Sequence, residues 1–338
     1  MTNKDMQENS TVLVTQSFGR ESEYRRVVFM ILSFYAYAQN KNHKTLLFTD
    51  NPDWFHPYFE KIPVEYILLT PEKIKSMRGD IDFLHRMKIA LIEEAFQMYD
   101  ANILYADSDT FFIADPAALI SASTPNQSFM HLHEYKFETL SKMELPAGKT
   151  FLAFLELIEH NQFNLSTGVS LFTGSMSSWN AGVMMLHQSH QKFIPDVYAL
   201  TDQFFPKTQN HASEQYAFSL ILQSNTDLRP CDQYIYHYWY GIKKKIIDAF
   251  FEDKLSLLIG MTTEQRLSKA KVWAEMLPQY FEQHQLTYKD NAIQAFNIHN
   301  YKAGYSSSIK AIAKGAWQDV QFLKDIMYHT RQFFNRTK

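Results

Sequence analysis

The chain has 338 residues, with 33 Lys or Arg against 36 Asp or Glu, so its formal net charge at pH 7 is −3. This balance gives no strong positive field, and a nucleic-acid-binding role is therefore not expected. The single cysteine, Cys231, excludes an internal disulfide and a cysteine-based zinc cluster, which is typical of a reducing compartment.

The length suits one large α/β domain with a helical part attached, or two modest domains. Residues 1–10 are polar and lack the charged-then-apolar pattern of a signal peptide, so none is expected. The longest apolar stretch, residues 27–38, is shorter than the roughly 20 residues that span a bilayer. These features predict a cytoplasmic protein.

In the first third of the chain, strand-like and helix-like patterns alternate. Alternation of this kind predicts a mainly parallel sheet with helices on both faces. Strand patterns cover residues 11–16, 45–50, 64–69 and 102–106, and helix patterns cover about 20–39 and 84–98.

The strand at 102–106 stops at two carboxylates, Asp107 and Asp109. Alternate residues of an extended backbone point the same way, so both side chains can reach one divalent ion while Ser108 faces the opposite side. The carboxyl edge of such a sheet is also where open α/β folds bind ligands. This segment predicts a metal site for a diphosphate, although a solvated turn at a strand end would also contain aspartates.

Three later segments place polar groups beside apolar runs. Residues 178–186 pass from Ser-Trp-Asn-Ala-Gly into an apolar strand, and Glu214 and Gln215 open an amphipathic helix. His237 lies among aromatic residues shortly before Gly241 and three lysines. It is the best candidate for a third metal ligand because imidazole favours a transition metal such as Mn²⁺, the alternative being a packed core histidine.

The order of these motifs resembles the GT-A class of nucleotide-sugar glycosyltransferases. It is most similar to the retaining family that includes glycogenin and bacterial lipooligosaccharide galactosyltransferases, and the resemblance covers about residues 10–245. Two departures from the family pattern are visible. Glu214 stands where the family usually has Asp, and Gly241 follows His237 at a longer spacing than usual.

The resemblance implies a GT-A type fold with a catalytic domain over residues 1–245 and a helical C-terminal extension over 246–338. It implies that Asp107, Asp109 and His237 hold Mn²⁺ or Mg²⁺, and that Glu214 and Gln215 lie beside the anomeric carbon as the catalytic pair. Of the two basic residues in the helix before the metal strand, Arg86 is preferred to Lys88 as a ligand of the donor. The complete set of expected donor-binding residues is Thr15, Asp50, Arg86, Asn180, Gly182, Lys243 and Lys244.

The expected activity is transfer of a sugar from a nucleotide diphosphate sugar, with UDP as the expected nucleotide, to a glycan, lipid-linked or other hydroxyl acceptor. Retention of configuration and a place in polysaccharide or lipopolysaccharide biosynthesis follow from the same resemblance. A non-catalytic carbohydrate-binding protein of this fold stays open as an alternative. A haloacid-dehalogenase-type phosphohydrolase fits less well, because it needs Thr or Val where this chain has Phe111 and an Asp-x-Asp motif near the N-terminus.

Residues 116–178 are less regular. They contain an apolar helix near 150–160 and a stretch rich in Ser, Thr and Gly at 166–178, which is expected to be a mobile loop that closes over the donor. His131, His133 and Glu134 form a cluster that suggests zinc, but no further ligand follows at a typical spacing.

Beyond residue 245, helices are predicted near 246–259, 263–284 and 309–334. In the last of these, basic residues outnumber acidic ones and alternate with large apolar residues. An ordinary packed terminal helix is the favoured interpretation, and the alternative is a helix that rests on the anionic surface of the inner membrane, where lipid-linked acceptors lie. The charged residues are Lys310, Lys314, Lys324, Arg331, Arg336 and Lys338 against Asp319 and Asp325.

Overall fold

The computed structural model describes residues 11–38, 43–142, 148–166 and 168–336, so the segment in which no signal peptide was expected lies outside the described residues. The strands are β1 (Thr11–Ser17), β2 (Lys44–Thr49), β3 (Val64–Leu68), β4 (Asn102–Ala106), β5 (Thr110–Phe112), β6 (Gln127–Met130), β7 (His133–Lys136), β8 (Gln162–Leu165), β9 (Gly168–Leu171), β10 (Ser177–Trp179), β11 (Val183–Leu186), β12 (Asp227–Pro230) and β13 (Ile235–His237). The α-helices are α1 (Glu21–Tyr37), α2 (Pro71–Arg78), α3 (Met87–Met98), α4 (Ala117–Ala122), α5 (Gly148–His160), α6 (Ile194–Thr208), α7 (Ser213–Asn225), α8 (Gly241–Lys254), α9 (Thr263–Glu282), α10 (Gln285–Asn297), α11 (Tyr301–Ala313) and α12 (Val320–Arg336).

Within the described residues, a seven-stranded sheet has the order β12-β6-β11-β4-β1-β2-β3. Strand β1 pairs in parallel with β2 and β4, β2 pairs in parallel with β3, and β12 pairs in parallel with β6. Strand β11 is antiparallel to both of its neighbours, β4 and β6. The predicted fold class, a mainly parallel sheet flanked by helices and followed by a helical C-terminal region, is therefore confirmed.

Alternate residues of the central strands enter two hydrophobic clusters on opposite faces of the sheet. In β1, Val12 and Val14 pack into the cluster that contains residues of α3, α6 and α7, whereas Leu13 packs into the cluster that contains α1. Burying each such side chain contributes about 1.5–3 kcal/mol. A shift of register by one residue would exchange the two faces, so this alternation fixes which side chains reach the carboxyl edge.

The C-terminal helices contact two different cores. Helices α8 and α9 pack against α1 through Phe251 and Trp273, which belong to the second cluster of the sheet. A smaller cluster around Phe296 and Phe322 lies between α10, α11 and α12. The domain boundary predicted at residue 245 falls inside α8 and stays a prediction. Among the described residues, no helix is both long and apolar enough to cross a membrane.

Two predicted segments differ from the structure. The segment 309–334, predicted as one helix, comprises the end of α11 and most of α12. Gly315 interrupts the helix because it adopts a φ of +108°. The Asp319 side chain then accepts a hydrogen bond from the N–H of Phe322 at 3.0 Å, at the start of α12. The segment predicted as a mobile loop at 166–178 contains β9, which forms a hairpin with β8, and the start of β10. Both errors come from turns that a single sequence marks only weakly.

Candidate active site

Three chain segments meet at the carboxyl end of β4. The backbone N–H of Asp107 donates to the carbonyl of Gly182 at 2.8 Å, and the N–H of Tyr238 donates to the carbonyl of Asp109 at 3.0 Å. Strand β13 pairs with β5 so that His237 lies opposite Thr110. These backbone contacts place the Asp-x-Asp segment beside the segments that carry Gly182 and His237.

The side chains of Asp107, Asp109 and His237 converge. Each offers one ligand atom, and the three atoms lie within 4.8 Å of one another. The Nε2 atom of His237 lies 3.3 Å from Oδ1 of Asp109. Carboxylate oxygens combined with one imidazole suit Mn²⁺ and also allow Mg²⁺, so the residues that the sequence singled out as metal ligands can hold such an ion.

The amide of Asn180 fixes the orientation of the His237 ring. Its Nδ2 atom donates to Glu134 at 3.1 Å, so its Oδ1 atom accepts from the N–H of Gly182 at 3.0 Å and from Nδ1 of His237 at 2.9 Å. In the neutral ring the proton therefore sits on Nδ1, and the lone pair of Nε2 faces a carboxylate oxygen of Asp109. Two acceptors that face each other repel unless a cation or a proton lies between them, so this geometry fits a metal ion shared by both residues.

Gly182 is required at its position by the ring of His237. A Cβ atom on Gly182 would lie 2.1 Å from Cε1 and 2.4 Å from Nδ1 of that ring, which is closer than atoms can approach. Its function in this structure is therefore to make room for the imidazole. The expectation that it also permits close approach of the donor sugar stays a prediction.

Lys244 completes the surroundings of Asp109. Its ammonium lies 2.6 Å from Oδ2 of Asp109. Burial alone would raise the pKa of Asp109, but its contacts with the His237 ring and with the Lys244 ammonium outweigh burial and hold the pKa well below its usual range. Lys243, the other predicted lysine, turns away from this site and contacts the hydroxyl of Tyr236 at 2.7 Å.

Lys88 is the basic residue that enters the site from α3. Its ammonium lies 3.4 Å from Asp107 and 3.1 Å from Glu214, and it donates to the carbonyl of Ala181 at 3.1 Å. Burial alone would lower the pKa of Lys88, but the two carboxylates outweigh it and raise the pKa above its ordinary value. Lys88 therefore links Asp107, the first aspartate of the predicted metal pair, to Glu214, the predicted catalytic carboxylate.

The preference for Arg86 over Lys88 needs correction. Arg86 forms a bidentate ion pair with Asp202, at 2.7 and 3.0 Å, and its guanidinium lies over the ring of Tyr198. These contacts hold its side chain against α6, and it does not line the cleft at the sheet edge. In the sequence, Arg86 and Lys88 were both candidates for the basic residue that contacts the donor. They differ in the direction in which their side chains point.

Glu134 also belongs to this site, although the sequence suggested it only as part of a possible zinc cluster. Its Oε2 atom accepts from Ser178 at 2.9 Å and from Gln215 at 2.8 Å, while its Oε1 atom accepts from Asn180. The oxygen of Gln215 in turn accepts from the N–H of Ala181 at 3.2 Å. One carboxylate therefore orients the two predicted sugar-contacting amides.

The His-x-His-Glu string was the available signal for this residue, but the structure gives it a different meaning from zinc binding. His131 contacts the carbonyl of Ile235 at 3.0 Å, and His133 contacts Ser177 at 3.0 Å. The three side chains of the string therefore have three different sets of partners. Burial, together with the neighbouring His237 ring, lowers the pKa of His131 to about 4, so this residue is a neutral, packed histidine.

Besides Arg86 and Lys243, two further predicted donor-binding residues lie outside the cleft. Thr15 is fully buried on the face of β1 that it shares with Leu13, whereas its neighbour Gln16 lines the cleft. Asp50 follows β2 at the same sheet edge, where it accepts hydrogen bonds from the N–H of Gly19 at 3.0 Å and from the hydroxyl of Tyr24 at 2.6 Å. In β1 the prediction is therefore wrong by one residue, because consecutive residues of a strand face opposite sides of the sheet.

The central cleft has a volume of about 410 Å³, which lies within the range of sites for small molecules. At its mouth stands the indole of Trp239, which is 46% exposed. The ionisable side chains that line it include those of Lys88, Asp107, Asp109, Glu214, His237 and Lys244.

Comparison with protein-family profiles finds no match, and comparison with curated protein sequences finds no relative. Comparison with solved structures finds similarity to the galactosyltransferase LgtC, with a TM-score of 0.42 and 11% identity over 64% of this chain and 72% of that chain. Mouse xyloside xylosyltransferase 1 gives a TM-score of 0.43 and 11% identity over 66% and 85% of the two chains. The glycosyltransferase GlyE of Streptococcus pneumoniae TIGR4 gives 0.42 and 14% identity over 80% and 64%. Similarity at this level is partial, so the case for a function is made from the residues of the cleft.

Proposed function

We propose that this protein is a metal-dependent glycosyltransferase that moves a sugar from a nucleotide diphosphate sugar to a hydroxyl acceptor. The observation that carries the proposal is the convergence of Asp107, Asp109 and His237 at the carboxyl edge of the sheet, with Lys244 beside them. A divalent ion bound there, Mn²⁺ or Mg²⁺, would supply Lewis-acid stabilisation of the leaving diphosphate. The motif order that resembles GT-A enzymes favours UDP as the nucleotide.

The charge of the cleft supports a requirement for a cation. Four carboxylates line it, those of Asp107, Asp109, Glu134 and Glu214, against the two ammonium groups of Lys88 and Lys244. A site with this excess of negative charge repels a diphosphate. A divalent cation held by the aspartates removes the excess, so donor binding and metal binding are expected to depend on each other.

Glu214 and Gln215 are the proposed catalytic pair. Glu214 lies in the first turn of α7, where the helix dipole favours a carboxylate, and its Oε1 atom lies 3.1 Å from the ammonium of Lys88. A buried carboxylate at this place can stabilise the positive charge that develops at the anomeric carbon, since the transition state of glycosyl transfer resembles an oxocarbenium ion. Gln215, fixed by Glu134 and Ser178, would orient the sugar hydroxyls.

The proposed acceptor is a glycan or a lipid-linked saccharide. In the C-terminal region, Ile309, Trp317 and Val320 are 67%, 62% and 63% exposed, and the exposed lysines Lys310 and Lys314 lie next to them in sequence. Large apolar side chains beside basic ones suit the surface of an anionic membrane. We therefore keep the proposal of a cytoplasmic protein that contacts the inner membrane surface peripherally.

The experiment that tests the function has two readouts. The first is Mn²⁺ binding, measured by electron paramagnetic resonance, and the second is release of UDP from a panel of UDP-sugars with and without Mn²⁺. The wild-type chain should bind Mn²⁺ and release UDP, and Asp109→Asn should reduce both. Asp253→Asn, at an exposed site on α8, is the matched control and should behave as the wild type.

The possible outcomes separate the hypotheses. Mn²⁺ binding that depends on Asp109, with no turnover of any donor, would favour the non-catalytic carbohydrate-binding alternative. Turnover that is unchanged in Asp109→Asn would overturn the metal-dependent mechanism.

A further inference from the structure

A second cavity of about 400 Å³ lies between the segment that follows β13 and the C-terminal helices. It is bounded on one side by the start of α8 and its preceding residues, and on the other by the end of α9 and one face of α10. Its principal side chains are Trp239, Tyr240, Lys243, Glu282, Asp290 and Gln294. None of these except Lys243 was considered from the sequence.

The wall formed by α10 is polar. Asp290 and Gln294 are one turn apart, and Thr287 and Asn291 complete a face with the spacing of adjacent helical turns. Amide, hydroxyl and carboxylate groups in such a row can donate and accept hydrogen bonds with neighbouring hydroxyls of one ligand. The face therefore suits a polyhydroxylated molecule.

The opposite wall is aromatic and accessible. Trp239 is 46% exposed and Tyr240 is 49% exposed, although large aromatic side chains usually bury most of their surface. The Tyr240 hydroxyl accepts from the amide of Gln294 at 2.7 Å, which connects the two walls. Flat aromatic surfaces opposite a polar wall match a sugar ring, which has an apolar face of C–H groups and a rim of hydroxyls.

The charges of this cavity disfavour an anionic ligand. Among the described residues that line it, the one basic side chain is Lys243, whose ammonium contacts the Tyr236 hydroxyl at 2.7 Å and Glu282 at 3.3 Å. Asp290 adds a second carboxylate, which accepts from Gln294 at 2.6 Å. A phosphate would meet two carboxylates and a lysine that is already paired, so a neutral saccharide is the ligand class that fits.

The second cavity is joined to the central cleft through Trp239, which lines both. The ring centroid of Trp239 lies 4.9 Å from that of His237, a predicted metal ligand. A saccharide that occupied the second cavity and extended across the indole would bring its end to the mouth of the central cleft. This places a hydroxyl where a transferred sugar could be received.

We propose that this cavity is a binding subsite for a neutral acceptor saccharide, with Trp239 and Tyr240 as the stacking surface and α10 as the hydrogen-bonding wall. Its identity as an acceptor subsite rests on the proposed glycosyltransferase activity, whereas its ability to bind saccharide does not. The subsite also gives α9 and α10 a functional role in selecting the acceptor.

The test measures saccharide binding without turnover. Saturation-transfer difference nuclear magnetic resonance is recorded with lactose, cellobiose and maltotriose as neutral probes and glucose 6-phosphate as the anionic probe, in the presence of EDTA and without nucleotide sugar. The proteins are the wild type, Asp290→Ala, Gln294→Ala and the cavity-filling variant Asn291→Trp. Gln318→Ala, at an exposed site before α12, is the matched control for Gln294→Ala.

At least one neutral probe should give a signal with the wild type and with Gln318→Ala, and the signal should fall at least threefold in the three cavity variants. Unfolding temperatures measured in parallel identify any variant that has lost its fold. Asp109→Asn should keep the signal, because the metal pair is outside this cavity. Absence of binding by all neutral probes, or binding that survives Asn291→Trp, would overturn the subsite even if UDP release succeeds. Binding here without UDP release would leave the subsite standing and count against the transferase.

Discussion

The ammonium of Lys88 lies 3.1 Å from Oε1 of Glu214, and both side chains are almost completely buried. This ion pair connects α3 to the first turn of α7 across the carboxyl edge of the sheet. The same ammonium also contacts Asp107 at 3.4 Å. Lys88 therefore fixes the position of Asp107, a predicted metal ligand, relative to Glu214, the predicted catalytic carboxylate. The arrangement couples the metal side of the cleft to its sugar side.

The first prediction is that Lys88→Met destabilises the fold and abolishes donor turnover. Removing one member of a buried ion pair leaves the other charge without compensation, which costs about 3–5 kcal/mol. Urea unfolding measures the free energy of unfolding, and UDP release measures turnover. Lys75→Met, at an exposed site on α2, is the control and should change neither by much. A Lys88→Met protein with wild-type stability would show that the buried carboxylates do not need this partner.

The second prediction concerns the space between Gly182 and His237. Gly182→Ala places a methyl group about where the imidazole ring now lies, so the ring must move away from Asp109. We expect Mn²⁺ affinity to fall by about 10- to 100-fold, the range seen when the support of a metal ligand is lost. Gly241→Ala is the matched control, since a Cβ at that position meets no atom within 4 Å. Equal Mn²⁺ affinity in the two variants would exclude His237 from the metal site.

The third prediction tests the carboxylate that orients the amides. Glu134 accepts hydrogen bonds from three donors, on Ser178, Asn180 and Gln215. Glu134→Gln keeps the shape but turns one acceptor into an NH₂ group, which must then face another donor. UDP release should fall by at least tenfold, with a smaller loss of Mn²⁺ affinity through Asn180. Glu156→Gln, at an exposed site on α5, is the matched control for the same exchange and should keep wild-type turnover. Wild-type turnover in Glu134→Gln would assign Glu134 a packing role only.

The sequence was sufficient for the fold class and for the meeting of Asp107 and Asp109 at one edge of the sheet, because both depend on strong local signals. That this pair holds a metal ion stays a prediction. The alternation of strands with helices predicted the parallel part of the sheet, and the apolar run that ends at Asp107 located the carboxyl edge. His237 could be added because its segment had the right place in a known motif order. These inferences needed no knowledge of how helices are rotated against the sheet.

Where the structure differs from the predicted site, the difference lies in the direction of side chains. In β1, Gln16 lines the cleft and Thr15 does not, and of the two lysines predicted at the start of α8, Lys244 lines the cleft and Lys243 does not. Arg86 ends a short 3-10 turn, Leu84–Arg86, whereas Lys88 lies in the first turn of α3 and lines the cleft where Arg86 was expected. Each prediction fell within two residues of a side chain that lines the cleft, but the direction of a side chain depends on tertiary packing that periodicity alone does not fix.

The fourth prediction concerns acid stability and His190. This buried ring accepts the N–H of His187 on Nδ1 at 3.2 Å and contacts the carbonyl of Pro125 through Nε2 at 3.1 Å, so its neutral form fits the structure. Burial lowers the pKa of His190 to about 4. In the unfolded chain the pKa is about 6.5, so the unfolded state takes up a proton first as the pH falls. The contribution to stability is therefore complete above pH 6.5 and is lost between pH 6.5 and 4, by about 2 kcal/mol at pH 5.

Urea unfolding at pH 7.5 and pH 5.0 measures this effect. In His190→Gln, whose amide can donate and accept in the same directions, the loss of stability between the two pH values should be about 2 kcal/mol smaller than in the wild type. His160→Gln, at an exposed helix end, is the control and should keep the wild-type difference. If His190→Gln loses as much stability as the wild type on acidification, other groups account for the acid sensitivity.

The last prediction tests the membrane contact of the C-terminal region. Four exposed basic residues of α11, α12 and the turn between them are replaced by Gln: Lys310, Lys314, Lys324 and Arg331. Attraction to an anionic surface is worth about 1 kcal/mol per basic residue, so co-sedimentation with anionic vesicles should fall at least tenfold, and added salt should weaken the binding of the wild type. The matched control replaces four exposed lysines elsewhere by Gln: Lys61, Lys75, Lys192 and Lys207. Since both variants change the net charge equally, a difference between them isolates the position of the charges. If the two variants co-sediment to the same extent, with anionic and with neutral vesicles alike, α11 and α12 are packed helices without a membrane contact. The acceptor would then have to reach the cleft from solution.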